Sequence, residues 1–152
     1  MPSHGAPVVR STFATFSFAI YRWLAAFAVV CVTLALGADI LYWRTMSLMW
    51  VDFSAWLLLV AIVTGCAALP FGVVDFIKSP HTRNRGLAWA HAVVRVLVLL
   101  LVFINNLIHA SDGWTAVMPW GLTLSALTLL LVILAGLLGE FHIRANGDRR
   151  YA

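Results

Sequence analysis

One stretch, His91 to His109 (HAVVRVLVLLLVFINNLIH), restricts the fold of this chain more than any other. It is apolar throughout except for its two end histidines, Arg95, Asn105 and Asn106. The step from position 91 to position 109 is five whole turns at 3.6 residues per turn, so the two histidines of a helix built here point the same way. Arg95 and Asn105 fall about 40° to either side of that line, and Asn106 about 60°, at roughly 100° per residue. The helix would carry a polar stripe along one face, with its ends about 27 Å apart at about 1.5 Å per residue. A bilayer's hydrocarbon core is about 30 Å thick. A membrane-spanning helix with a polar seam is the natural reading.

Composition supports lipid as the solvent. Of 152 residues, 62% are hydrophobic and 11% charged, against about 25% charged in soluble domains. So few charges cannot clothe a water-soluble surface, and the length suits one domain. The formal charge of +4 comes from bases at the ends of apolar runs, the pattern of membrane orientation and not of a nucleic-acid face. Cys31 and Cys66 each lie inside an apolar run, with no C-x-x-C pair. They suit packing, and give no support to a thiolate-held zinc or iron–sulfur site.

Taken in order, residues 1–10 form a polar tail in which His4 is solvated, and residues 11–22 form an interfacial lead-in. The first span is expected over 23–43. A cleaved leader, with Arg22 ahead of the run and LALGA as its cut site, is the weaker alternative because that leader would be unusually long. A loop is expected over 44–52, then a second span over 53–77 kinked by Pro70. Ala61/Gly65 and Ala68/Gly72 are small-residue pairs suited to close helix approach. Residues 78–86 (KSPHTRNRG) make a loop, and the third span covers 87–109. After SDGW (111–114), Pro119 opens the fourth span, 119–139, at a first-turn position. Gly136 and Gly139 offer it a packing surface. Residues 141–152 are a basic tail, and 23–140 is the membrane domain.

Four spans put both termini and the 78–86 loop on one side. That side holds Arg10, Arg22, Lys78, Arg83, Arg85, Arg144, Arg149 and Arg150; the opposite loops hold Arg44 alone. The positive-inside rule makes the termini cytoplasmic. Tyr21, Trp23 and Trp89 mark the inner interface, and Tyr42, Trp43, Trp50, Trp114 and Trp120 the outer one. The expected fold is all-α, a four-helix transmembrane bundle.

Two polar clusters follow. The inner one is Asp75, His91, Arg95 and Glu140, with His142 at the end of span four; the outer one is Asp39, Asn105, Asn106 and His109, with Asp52 and Asp112. A charged side chain at a helix centre costs about 2.5–3.5 kcal/mol on insertion scales. Arg95 therefore wants a carboxylate, and both Asp75 and Glu140 lie at compatible depth. The favoured reading is an ion-paired lock of Asp75, His91 and Arg95 between spans two and three. The functional alternatives are a small proton-coupled carrier using those three residues, or a haem b or quinone site with His91 as the residue touching the cofactor. Bis-histidine haem needs facing histidines at one depth, and His142 falls beyond its span. Asn105, Asn106 and His109 read as headgroup-level polar residues. No serine or cysteine is paired with a plausible base, which argues against a hydrolase and assigns no catalytic residue.

The segments GVVDF (72–76), AWAHAVVR (88–95), NNLIH (105–109), PWGLTLS (119–125) and AGLLGEFHIRANG (135–147) resemble the DUF2231 family. These are small bacterial four-span membrane proteins of unassigned function, some fused to Rieske-type iron–sulfur domains. The resemblance covers roughly residues 20–147, and Asp39, Asp75, His91, Asn105 and Glu140 fall at the family's polar positions. The chain departs from the pattern in three places. Tyr21-Arg22 stand where a His-Pro is expected at the first span, Arg95 replaces an Asn one turn after His91, and no Rieske module follows within the sequence. The resemblance implies an association with membrane electron transfer. The combined expectation is an inner-membrane protein in contact with lipid, acting as a non-catalytic subunit or anchor in a homo-oligomer or redox assembly.

Overall fold

The computed structural model describes residues 12–78, 85–111 and 117–147, with side-chain surroundings described over 19–74, 86, 89–111 and 117–139. Four helices make up nearly all of it: α1 (Thr12–Thr45), α2 (Met49–Lys78), α3 (Arg85–Ala110) and α4 (Leu122–Gly147). Each is long and apolar enough to cross a membrane. Each packs on the next and α4 closes back on α1, giving an antiparallel four-helix bundle as the sequence predicts.

Two boundaries differ from expectation. The lead-in over 11–22 is not a separate element, because from Thr12 it is continuous with α1. Its Phe and Ile residues recur at helical spacing, with no proline or glycine in that stretch to break the ladder. The loop expected over 44–52 shrinks to Met46–Leu48. Met46 takes a left-handed backbone (φ 52°), and its N–H donates to the Tyr42 carbonyl at 2.7 Å. That bond closes the last turn of α1 as an αL cap, at a cost of about 1–2 kcal/mol for a residue other than glycine. The Leu48 carbonyl accepts from Asp52 N–H at 3.2 Å, and Asp52 lies in the first turn of α2, where a carboxylate suits the helix dipole. α2 runs through Pro70 as one helix.

Before α4 the chain makes a wide π-type turn, Val117–Gly121. Pro119 lies inside this turn, not in the first turn of α4. The ring of a proline pushes the residue before it toward extended backbone, and Met118 adopts φ −118°, ψ 122°; the Met118–Pro119 bond is cis. α4 starts afresh at Leu122.

The interior is small and tightly drawn. Cys31, Val32 and Ala35 of α1 pack with Leu58 and Ala61 of α2 and Val102 of α3, flanked by Leu57, Ile62 and Val98. Short side chains on α1 and α2 let the two backbones approach where lipid supplies no hydrophobic drive. Outside, α3 shows the reverse face: Val93, Val96, Leu97, Leu100, Phe103, Ile104 and Leu107 are exposed. Large apolar side chains are exposed on all four helices, as a bilayer requires. The polar seam of α3 faces its protein neighbours.

Candidate functional site

At the end of the bundle that holds the α1–α2 turn, Asp39 of α1 is 1% exposed. A carboxylate carried into an apolar interior must find donors or be neutralised. Asp39 finds one on each of the other three helices. Ser54 Oγ of α2 donates to Oδ1 at 2.7 Å, His109 Nε2 of α3 lies 2.8 Å from the same oxygen, and Ser125 Oγ of α4 donates to Oδ2. Asn105 Nδ2 donates in turn to Ser125 Oγ at 2.7 Å. The other ring nitrogen of His109, Nδ1, is 2.9 Å from the Asn105 backbone carbonyl one turn back. All five residues are buried.

Local sequence explains how these groups meet. Asp39 lies six residues before the end of α1 and Ser54 five after the start of α2, so a tight hairpin brings them to one level. The α3–α4 hairpin follows a single register about position 115. His109 faces Gly121, Asn105 faces Ser125 and His91 faces Gly139, each pair equidistant from that position. A methyl group at Gly121 would stand 2.9 Å from His109 Cε1, so the absence of a side chain there makes room for the ring.

The outer cluster of the sequence reading is thus partly assembled. Asp39, Asn105 and His109 come together, and Asn105 and His109 are both enclosed by the helices. Asn106, half-buried on the adjoining side of α3, takes no part, and Asp52 is exposed; Asp112 lies outside the described residues. Ser54 and Ser125 were not singled out from sequence. Their signal was depth: each sits as far from its turn as the polar residue it meets.

At the opposite end, the Arg95 guanidinium lies 4.8 Å from the centre of the Tyr21 ring, a cation–π contact between α3 and α1. A Cβ at Gly72 would meet Tyr21 at 3.5 Å and Arg95 Nη1 at 3.8 Å. The Gly72 surface of α2 therefore seats this pair. His91 packs on α4, with Cε1 3.1 Å from the position a Cβ would take at Gly139. Gly136, expected to share that packing role, has open space around it, since it lies on the exposed side of α4. The side chains of Asp75, Glu140 and His142 lie outside the described residues, so the expected lock of Asp75, His91 and Arg95 is neither assembled nor broken by what is described.

The two polar ends are separated by the dry core. Arg95 and Asn105 are about 15 Å apart along α3 at about 1.5 Å per residue. Between them the inward-facing residues are Val98, Leu99 and Val102, packed with the apolar cluster and over Gly65. No group of three or more histidine, cysteine, aspartate or glutamate side chains suited to a metal occurs among the described residues.

Comparison with known proteins returns no matching curated protein and no matching solved structure. One family model, described as a predicted membrane protein (DUF2231), matches residues 19–143. That range takes in all four spans and every residue of the buried network, and the chain belongs to the DUF2231 family.

Proposed function

We propose that this chain is a multi-pass component of the bacterial inner membrane, both termini cytoplasmic, serving as a non-catalytic subunit or anchor in an oligomeric or redox-linked assembly. The observation that carries the reading is the occupation of Asp39. Both of its oxygens and Nε2 of His109 are engaged in bonds that tie four helices together, and Nδ1 of His109 is held by its own helix. Groups spent in this way hold a scaffold; they do not turn toward a substrate. The excess of bases on the side of the termini supports the orientation, and the redox link is what the family resemblance implies.

The test is the mass of the protein extracted in native-lipid particles. A mass of two or more chains, or a stoichiometric membrane partner, is expected; a lone monomer overturns the proposal. The absorbance spectrum of the same preparation tests the competing cofactor reading at His91, which requires a Soret band or extractable quinone.

A further inference from the structure

We propose that Asp39 and His109 form a proton-binding site that holds one proton between His109 Nε2 and the Asp39 carboxylate, buried at the turn end of the bundle.

A count of donors fixes how many hydrogens the pair must hold. A backbone carbonyl can only accept, so the 2.9 Å contact to the Asn105 oxygen requires hydrogen on His109 Nδ1. The 2.8 Å contact between Nε2 and Asp39 Oδ1 requires one more hydrogen, carried by either atom. Two arrangements satisfy both contacts: imidazolium with carboxylate, or neutral imidazole with carboxylic acid. They differ by the position of one proton and have the same net charge of zero. Ser54 and Ser125 donate to the carboxyl group in both.

Taking that proton away has no comparable solution. Either Nε2 or Nδ1 would then present a lone pair to an oxygen lone pair less than 3 Å away, and the buried unit would carry a full negative charge. Asn105 Oδ1 is also buried, and no group among the described residues donates to it. Asn105 Oδ1 is therefore an acceptor to spare beside the pair. The groups facing the pair are Ser54 from α2, Asn105 from α3 and Ser125 from α4, with the buried Tyr42 nearby along α1. Arg44 and Asp52, the other charged side chains described at this end, are exposed. Losing the proton would break either the contact of α3 with α1 or the hold of the ring on its own helix.

The test uses the wild-type chain in liposomes, isotope-labelled at histidine ring nitrogens, asparagine carbonyl carbons and aspartate carboxyl carbons. Solid-state magnetic resonance identifies the His109 ring by transfer from Nδ1 to the Asn105 carbonyl. Transfer from Nε2 to the Asp39 carboxyl carbon then reads the state of the acid. At neutral pH the expected result is hydrogen on both ring nitrogens, or hydrogen on Nδ1 with a protonated Asp39. A ring with one bare nitrogen beside an ionised Asp39 overturns the proposal, as does absence of the Nε2–Asp39 transfer.

Discussion

His109 Nε2 lies 2.8 Å from Asp39 Oδ1, linking α3 to α1 across the diagonal of a bundle whose helices otherwise pack as neighbours around a ring. Both groups are buried, and removing one side of a buried pair leaves the other uncompensated. Asp39→Ala leaves His109 and Ser125 without the carboxyl group they meet, while Ser54 keeps the Ala35 carbonyl at 3.3 Å. By the usual cost of breaking a buried pair, it should destabilise the protein by about 3–5 kcal/mol. Asp39→Asn keeps an acceptor oxygen and should lose less. The double variant Asp39→Asn/His109→Gln should cost less than its two single changes added together, since the partners share one network. Thermal unfolding in mild detergent measures all four, and additive losses would count against the network.

The glycines of the bundle rank by what a methyl group would strike. Gly121→Ala places carbon 2.9 Å from a ring held at both nitrogens, and should cost about 1–3 kcal/mol as overpacking. At Gly65 the nominal distance is shorter, 2.5 Å, but the atom met is Leu99 Cδ2, the far end of a flexible side chain. Gly65→Ala should therefore be the milder of the two. Gly136→Ala meets nothing and should be neutral or stabilising by up to about 1 kcal/mol through helix propensity. Melting temperatures in the reverse order would refute the packing described for α3 and α4.

Arg95 rests on the Tyr21 ring at 4.8 Å. Tyr21→Phe retains the ring face and should unfold within about 0.5 kcal/mol of wild type if the contact is cation–π. Tyr21→Leu removes the face and should cost about 0.5–2 kcal/mol. Equal effects of the two changes would assign the stability to the hydroxyl.

The proposed orientation puts the Met46–Leu48 turn outside the cytoplasm. A cysteine introduced by Ser47→Cys, in a chain where Cys31 and Cys66 lie within helices, should react with a membrane-impermeant maleimide in cells whose inner membrane is intact. Reaction only after the inner membrane is opened would invert the topology.

Much of the fold was legible because lipid imposes few choices. Each apolar run had to become a helix, and bases at the run ends marked its limits. The turns were less legible. The 44–52 loop looked long because polar and aromatic residues fill it, yet Met46 reverses the chain within three residues by accepting a left-handed backbone. Ser54 and Ser125 were harder to read for a different reason. A serine in an apolar helix usually bonds its own backbone one turn away, as Thr64 and Thr128 do here, and nothing in its neighbours reveals a partner on another helix.

The sequence by itself determined the solvent, the number of spans and the polar seam of α3, because hydropathy and a 3.6-residue period act within a single segment. Only the tertiary structure decided which polar groups meet. Whether Asp39 faces a headgroup or three hydrogen-bond donors depends on helix rotation and register, and those were set by contacts such as Gly121 beneath the His109 ring. Such contacts join residues far apart in the chain, and no local pattern records them.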